Sequence, residues 1–215
     1  MDVLADIAAQ LYEGQGEEVA RLTGEALRAG LPPKDVLAGG LLAGMANVGR
    51  DFKAGQRFIP EVLVSARAMH MGMAVLEPHL AKGESTAAGR FVIGTVQGDI
   101  HDIGKNLVGM MMRGAGFEVI DLGVDVPPAR FVQAIRDHHP QVLGISALLS
   151  TTMLEMGKVI AAINEAGLRG EAAILVGGAP VTEEFARQVG ADGFAPEAGS
   201  AVEKAQELSR GRPRS

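Results

Sequence analysis

The chain has 215 residues, enough for one large domain or two small ones, and its hydrophobic content of 47% is typical of proteins that bury a core. The absence of cysteine excludes disulfides, thiolate metal sites and cysteine nucleophiles. The net charge of -6, with scattered lysine and arginine, argues against a nucleic-acid partner. The N-terminus lacks a basic region followed by an apolar one, and no apolar run is long enough to span a bilayer. We therefore expect a cytoplasmic protein without a membrane partner.

Residues 1–85 are predicted to form a four-helix bundle. Apolar residues at helical spacing indicate helices at about 3–11, 17–27, 34–51 and 61–76. Pro60 suits the first turn of the last helix. The small, polar and aperiodic residues that follow predict a linker, which we place at 86–89.

Residues 90–215 alternate between strand-like and helix-like segments. The predicted strands are 91–96, 117–122, 142–146, 173–176 and 193–194, and the predicted helices are 105–113, 128–137, 152–166, 182–189 and 198–208. This order predicts an α/β fold with a flavodoxin-like, doubly wound, five-stranded parallel sheet. Ligands of such sheets lie at the carboxyl ends of the strands, where the strand order reverses. The basic tail from Ser209 to Ser215 is expected to be disordered.

Three of the loops at that edge have unusual compositions. The first, Gly98–Gly104, places His101 between two aspartates, and an imidazole beside a carboxylate is a common arrangement for a metal-ligating histidine. The loop after the third strand is rich in hydroxyl groups, and the loop after the fourth begins with Gly177 and Gly178. The three loops suit a large cofactor with polar edges. The segment 121–128, after the second strand, is interpreted as an ordinary lead-in to a helix.

The motifs in these loops resemble those of a known family. Asp99, His101 and Gly104 form Asp-x-His-x-x-Gly; Ser-x-Leu begins at Ser146, and Gly-Gly follows at a fitting interval. Together they resemble the cobalamin-binding domains of methionine synthase and of corrinoid methyltransferase carrier proteins. Residues 47–62 are similar to the helical cap domain that accompanies these domains.

The resemblance implies a cofactor and a set of ligating residues. The cofactor would be cobalamin, as methylcobalamin or another cobamide, and His101 would be the lower axial cobalt ligand in place of the cofactor's own base. Asp99 would accept a hydrogen bond from the other ring nitrogen, which fixes the tautomer. The hydroxyl that completes this relay falls at Thr152, where methionine synthase has a serine.

The resemblance also implies further contacts with the cofactor. The first loop would contribute Gly98, Ile100, Asp102, Ile103 and Gly104, the second Ser146, Leu148, Leu149 and Ser150, and the end of the domain Val176, Gly177, Gly178, Phe194 and Ala195. Phe52 and Ile59 would lie over the reactive face, although they also suit the bundle core. Asp102 also suits the N-terminus of the following helix, where a negative charge is favourable.

The function implied is that of a methyl carrier without independent turnover. Its partners would be a methyl-donor-specific methyltransferase, a methyl-acceptor methyltransferase and a reductive activase. Two alternatives stay open, namely the small subunit of an adenosylcobalamin mutase and a cobalamin-dependent sensor. The helical cap counts against the mutase, and the lack of a basic surface counts against a DNA-binding sensor.

Overall fold

The computed structural model describes residues 2–79 and 88–210, which form two compact units. The first unit contains the N-terminal helices and the second contains the sheet. The first two residues of the predicted linker, 86 and 87, lie outside the described residues, as does the predicted disordered tail beyond Arg210. Gly89, which we assigned to the linker, is the first residue of a strand and pairs with Phe117.

The N-terminal unit contains the four predicted helices, and the third of them is irregular. The helical segments are α1 (Val3–Tyr12), α2 (Gly16–Arg28), α3 (Pro33–Asp35), a π-helical segment (Val36–Leu42), α4 (Ala43–Lys53), α5 (Ile59–Leu76) and a final 3-10 turn (Glu77–His79). The chain stays helical from α3 through the π-helical segment into α4, so the three correspond to one predicted helix. The helical spacing of apolar residues gave no signal of the π-helical segment.

Close helix packing explains part of the glycine content of this unit. The apolar face of α2, with Val19, Leu22 and Ala26, is buried, and α2 packs against α5. In α4, a Cβ atom added at Gly44 would lie 2.9 Å from the carbonyl oxygen of Ala8 in α1. A side chain at this position would push the two helices apart, so glycine permits their approach.

Helix α5 corrects one expectation from the sequence. With the turn after it, the segment Ile59–His79 is long and apolar enough to cross a membrane by length and composition, with a mean hydropathy of 1.2. The expectation that no apolar run reaches this length is therefore wrong. A mostly buried core helix of a protein folded in water passes the same test, and 33% of the apolar window in this segment is buried. The buried residues of α5 include Val62, Ala68 and Leu76.

The second unit is built on a five-stranded parallel sheet with the order β2-β1-β3-β4-β5. The strands are β1 (Gly89–Thr95), β2 (Phe117–Asp121), β3 (Val142–Ser146), β4 (Ala173–Gly177) and β5 (Gly193–Ala195). The strand order reverses at β1, which lies between β2 and β3. This is the flavodoxin-like order, and it confirms the predicted fold class.

Five helices connect or follow these strands. They are α6 (Ile103–Gly114), α7 (Pro128–His138), α8 (Glu155–Glu165), α9 (Glu183–Val189) and α10 (Ala198–Ser209). Helix α8 begins three residues later than predicted, because the chain from Ser150 to Leu154 forms turns rather than a regular helix. In these turns both Thr152 N and Met153 N donate to the carbonyl oxygen of Leu149.

The central strands are apolar because helices cover both faces of the sheet. Phe91, Val92 and Ile93 of β1 are all buried, as expected for a strand in the middle of a parallel sheet. Gly144 of β3 leaves room for the Phe91 ring, since a Cβ atom there would lie 2.7 Å from it. The apolar strand interiors leave the polar groups to the loops at the strand ends.

Candidate functional site

Several predicted site residues lie side by side at the carboxyl edge of the sheet. The strand registers pair Thr95 with Ser146, Ser146 with Gly177 and Gly177 with Ala195. The four residues therefore form a row across β1, β3, β4 and β5. The loops that follow this row carry the remaining polar groups of the site.

The loop after β1 presents an imidazole whose orientation is fixed by a carboxylate. Nδ1 of His101 lies 2.7 Å from Oδ1 of Asp99, and the His101 side chain is 45% exposed. An ionised carboxylate only accepts hydrogen bonds, so Nδ1 carries the proton in the neutral ring. Nε2 therefore keeps a lone pair that is available to a metal.

Asp99 itself is fully buried and accepts four hydrogen bonds. Oδ1 accepts from Nδ1 and from the backbone N of His101, at 2.7 and 3.0 Å. Oδ2 accepts from the backbone N of Leu148 at 2.7 Å and from Oγ1 of Thr152 at 2.6 Å. Burial raises the pKa of Asp99, but the hydrogen bonds from Thr152, Leu148 and His101 outweigh it and hold the pKa well below its usual value.

The turns before α8 place Thr152 against Asp99. The hydroxyl of Thr152 also lies 3.1 Å from the carbonyl oxygen of Leu149, but its single proton serves the shorter contact with the charged carboxylate. Thr152 is buried, so water does not compete for this hydrogen bond. The structure thus brings together Asp99, His101 and Thr152, which lie in two separate loops.

The segment after β2, which we interpreted as an ordinary helix lead-in, holds the same loop from another side. Oδ1 of Asp125 accepts a hydrogen bond from the backbone N of Gly98 at 2.7 Å, and the backbone N of Asp125 donates to the carbonyl oxygen of Asp99 at 2.9 Å. Asp125 has a φ of 53°, which is uncommon for a residue other than glycine. The earlier interpretation of this segment was wrong.

Two further contacts missed by the sequence analysis support these loops. Oγ1 of the buried Thr95 donates to the carbonyl oxygen of His101 at 3.0 Å. The ammonium group of Lys105, whose side chain is 2% exposed, pairs with the carboxylate of Asp121 at the start of the β2 loop. The sequence signal for Thr95 is a hydroxyl residue at the end of an apolar strand, whereas Lys105 gives no such signal because α6 also contains Asn106 and Arg113.

The two glycines at the end of β4, Gly177 in the strand and Gly178 after it, are required by the backbone around them. A Cβ atom at Gly178, which has a φ of 130°, would lie 1.8 Å from the carbonyl oxygen of Ala147. A Cβ atom at Gly177 would lie 2.7 Å from the carbonyl oxygen of Ala195. Gly104 differs, because a Cβ atom there would meet no atom within 4 Å.

Large apolar side chains are exposed around the imidazole. Ile100 and Ile103 are 76% and 77% exposed, and Leu148 and Leu149 are each exposed by more than two fifths. Such a concentration of apolar surface on one edge is typical of a binding site. These four residues, which we call the apolar rim, flank His101 in sequence or follow β3 beside it.

The other predicted residues occupy different environments. Asp102 accepts a hydrogen bond from Nδ2 of Asn106 within the first turn of α6, and Ser150 is exposed. Val176 lies in the hydrophobic core with no exposed surface, and Phe194 is partly buried against that core.

Phe52 and Ile59, predicted to cap the cofactor, belong to the helical unit. Phe52 is half-buried and Ile59 is exposed. The neighbouring Phe58, which the sequence analysis passed over, is 67% exposed. Its backbone N–H donates to the carboxylate of Glu61 at 2.8 Å, which holds the start of α5.

The donor set of the site fits a metal that brings its own macrocycle. Among residues 2–79 and 88–210, no group of three or more His, Cys, Asp and Glu side chains is placed to hold a metal ion. His101 could offer one nitrogen ligand, and the apolar rim and the open space at Gly104 would leave room for a large planar ring beside it. These features suit a corrinoid with a single ligand from the protein.

Comparison with known families agrees with this geometry. A model of the B12 binding domain matches residues 89–205, and a second B12 binding domain model matches residues 3–77. The chain belongs to the B12-binding family. Each unit of the structure therefore matches a B12 binding domain model. The resemblance inferred from the motifs is confirmed. Cobalamin or a related cobamide is the cofactor, as predicted.

Relatives of known type span nearly the whole chain. A corrinoid protein of Desulfitobacterium hafniense (strain Y51) is 40% identical over 97% of this chain and 98% of its own length. Trimethylamine corrinoid protein 1 of Methanosarcina mazei is 40% identical over 94% of this chain and 95% of its own.

A similar structure is the methanol:cobalamin methyltransferase complex MtaBC of Methanosarcina barkeri. The matched chain has a TM-score of 0.86 and 32% identity, and the match covers 99% of this chain and 81% of that one. The relative is thus a component of a methyltransferase complex. These B12-binding relatives share both the helical and the α/β parts with the present chain.

Proposed function

We propose that this protein is a corrinoid carrier that holds cobalamin with His101 as the lower axial ligand. In this role it shuttles a methyl group between a methyl-donor-specific methyltransferase and a methyl-acceptor methyltransferase. The observation that carries the proposal is the 2.7 Å contact between Nδ1 of His101 and the buried carboxylate of Asp99. Because Nδ1 carries the proton and donates it to Asp99, Nε2 keeps the lone pair that a metal can bind.

When bound, the corrinoid supplies a cobalt centre that accepts and releases the methyl group. His101 offers Nε2 to that metal, and Asp99 fixes the tautomer and orientation of the imidazole through its contact with Nδ1. Thr152 and the backbone N of Leu148 keep Asp99 ionised by donating to its second oxygen.

In this proposal the remaining predicted residues contact different parts of the cofactor. The apolar rim would contact the ring and exclude water around Nε2. The row that contains Ser146, Gly177 and Ala195 would line the nucleotide tail, together with Ser150, Gly178 and Phe194. The backbone at Gly177 and Gly178 suits this role because no side chain projects there.

The helical unit would contribute the cover over the reactive face. Phe52 and Ile59 were assigned this role from the resemblance, and the exposure of Phe58 and Ile59 supports a function beyond packing in the bundle. We include Phe58 in the proposed cover because it is a large apolar residue that is 67% exposed.

The partners follow from the proposed chemistry. A carrier needs one enzyme that delivers the methyl group and one that removes it, and a reductive activase would restore the reduced cofactor. The relatives in methanol and trimethylamine systems support a small methylated compound as the donor. We place the carrier in the cytoplasm together with these enzymes.

Cobalamin binding by matched histidine variants tests the first half of the proposal. His101→Ala removes the proposed ligand, and His139→Ala removes another exposed histidine of the same unit as a control. The wild type and His139→Ala should bind cobalamin with the same absorption spectrum, and His101→Ala should bind more weakly with an altered spectrum. A colourless wild type, or identical spectra for all three proteins, would contradict the proposal.

Methyl transfer tests the second half. The chain loaded with methylcobalamin should lose its methyl group to an acceptor only when a partner methyltransferase is added. The same enzymes given free methylcobalamin at the same concentration serve as the control. Equal transfer rates with and without the chain would show that it is not the carrier.

A further inference from the structure

The loop that carries His101 is held through its backbone as well as through Asp99. The hydroxyl of Thr95 donates to the carbonyl oxygen of His101 at 3.0 Å, and Oδ1 of Asp125 accepts from the backbone N of Gly98 at 2.7 Å. These two contacts lie at opposite ends of the four-residue segment 98–101. Neither residue belongs to the motifs that identify the family in this sequence.

Thr95 is well placed to act on His101 directly. It is the last residue of β1, it has no exposed surface, and its position in the row beside Ser146 is fixed by the sheet. Its backbone N donates to Gly123 and its carbonyl oxygen accepts from Val126, so the β2 loop surrounds it. Because the sheet fixes Thr95, the hydrogen bond from its hydroxyl restricts the movement of the His101 backbone.

Asp125 contributes the second contact from the β2 loop. Its side chain binds Gly98, and its backbone N donates to the carbonyl oxygen of Asp99 at 2.9 Å. The φ of 53° is unfavourable for most side chains but is tolerated by aspartate, asparagine and glycine. Positive φ at a position that also binds the histidine loop is typical of residues that serve a functional site.

The β2 loop, residues 121–128, is also held at its start, at Asp121. Lys105, buried in α6, pairs with Asp121, and the other oxygen of Asp121 accepts from the backbone N of Gly123 at 2.9 Å. The β2 loop is therefore fixed to the helix that follows the histidine loop. Asp99 is held through its carboxylate from the β3 side and through its carbonyl oxygen from the β2 side.

We propose that Thr95 and Asp125 are positioning residues, which hold the backbone of segment 98–101 so that Nε2 of His101 keeps the orientation needed to bind cobalt. This inference rests on the proposed function, because it requires His101 to be the ligand. Loss of either contact lets the segment move and reduces the fraction of cofactor that His101 binds. Segment 98–101 lies between β1 and α6 and belongs to neither, so we expect the variants to keep the fold.

Matched substitutions separate positioning from general stability. Thr95→Val removes the hydroxyl with little change in volume, and Thr95→Ser retains it. Asp125→Gly keeps an easy positive φ but removes the acceptor, whereas Asp125→Asn keeps both. His139→Gly is the control, because His139 is the other non-glycine residue with positive φ in the described chain and lies at the end of α7, away from the site.

Two kinds of measurement test these variants, one without the cofactor and one with it. In the cofactor-free chain, hydrogen exchange at the Gly98 amide should be about three- to tenfold faster in Asp125→Gly. With cobalamin bound, the His101-ligated fraction should fall about three- to tenfold relative to the unligated form in Thr95→Val and Asp125→Gly. The midpoint potential of the cobalt(II)/cobalt(I) couple should then become less negative by about 30–60 mV.

The outcomes distinguish the positioning role of Thr95 and Asp125 from the proposed carrier function. Wild-type behaviour of Thr95→Ser, Asp125→Asn and His139→Gly, with changed ligation in the other two, supports the proposal. Unchanged ligation and potential in folded Thr95→Val and Asp125→Gly, or Asp125→Asn that behaves like Asp125→Gly, would overturn it and leave the carrier function standing. A wild type without His101 ligation would overturn both.

Discussion

The carboxylate of Asp99 is fully buried, yet it lies 2.7 Å from Nδ1 of His101, whose side chain is nearly half exposed. A buried charge is costly unless its hydrogen bonds are satisfied, and Asp99 has two donors on each oxygen. The imidazole is thus hydrogen-bonded to a rigid, charged group while its side chain stays partly exposed. This relationship is the physical basis of the proposed cobalt ligation.

Replacing Asp99 tests that attachment. Asp99→Asn leaves one acceptor oxygen for four donors, so the amide NH2 must face either His101 or the pair Leu148 N and Thr152 Oγ1. We expect a loss of about 1–3 kcal/mol in the free energy of unfolding and weaker ligation by His101. Urea unfolding and the spectrum of the cobalamin complex measure the two effects.

The control for this change is Asp102→Asn, in the same loop. The Asp102 carboxylate accepts from Asn106 at the surface, so its replacement should change the free energy of unfolding by less than about 0.5 kcal/mol. An unchanged spectrum and midpoint potential in Asp99→Asn would show that Asp99 does not support the ligand.

The lowered pKa of Asp99 predicts a pH dependence of stability. Because the pKa is lower in the folded than in the unfolded chain, the stabilisation is fully present above the unfolded value of about 3.9 and is lost as the pH falls toward the folded value. The difference in unfolding free energy between the wild type and Asp99→Asn should therefore be constant near neutral pH and shrink below about pH 4. Urea titrations of both cofactor-free proteins test this, and a difference that grows in acid would contradict it.

The hydroxyl of Thr152 should contribute through Asp99. Thr152→Val removes the donor at 2.6 Å from Oδ2 and should destabilise the fold by about 1–2 kcal/mol, while Thr152→Ser keeps the donor and should be close to the wild type. Thermal unfolding of the cofactor-free proteins measures the difference. Equal losses in both variants would assign the role of Thr152 to its methyl group.

Gly178 and Gly104 should respond in opposite ways to alanine. Gly178→Ala places a Cβ atom 1.8 Å from the carbonyl oxygen of Ala147 at a φ of 130°, so a loss of at least about 3 kcal/mol in unfolding free energy is expected. Gly104→Ala meets no atom within 4 Å and lies in a helix, so the cofactor-free chain should be as stable or up to about 1 kcal/mol more stable.

Cobalamin affinity completes the test at Gly104. The added methyl group enters the space that we assign to the cofactor, so the affinity should fall by about tenfold or more. A spectrophotometric titration with cobalamin measures it. If Gly104→Ala bound cobalamin as tightly as the wild type, the cofactor would not approach the backbone at this glycine.

The parallel sheet and the convergence of three loops were predictable from the sequence. Short β-branched runs separated by amphipathic segments have few other solutions than a covered parallel sheet. The carboxyl ends of parallel strands meet at one edge, so His101, Ser146 and Gly177 had to be near one another once the strands were identified.

The contacts that hold the His101 loop in place were harder to predict from the sequence. The contact of Asp125 with Gly98 depends on a positive φ and a backbone N–H, and neither leaves a pattern in the order of residues. Thr95 gave a weak signal as a hydroxyl at the end of an apolar strand. The π-helical segment Val36–Leu42 replaces a regular turn in a helix whose apolar spacing is normal, so periodicity did not predict it.

The central claim is that a nitrogen of the protein, from His101, binds the cobalt. Electron paramagnetic resonance of the cobalt(II) state measures this directly, because the axial nitrogen splits each cobalt line. In protein with ¹⁵N-labelled histidine and unlabelled cobalamin, the account predicts that the triplets given by ¹⁴N become doublets and that His101→Ala loses this nitrogen. Triplets that persist after labelling would mean that the cofactor's own base remains bound, and the account would be wrong.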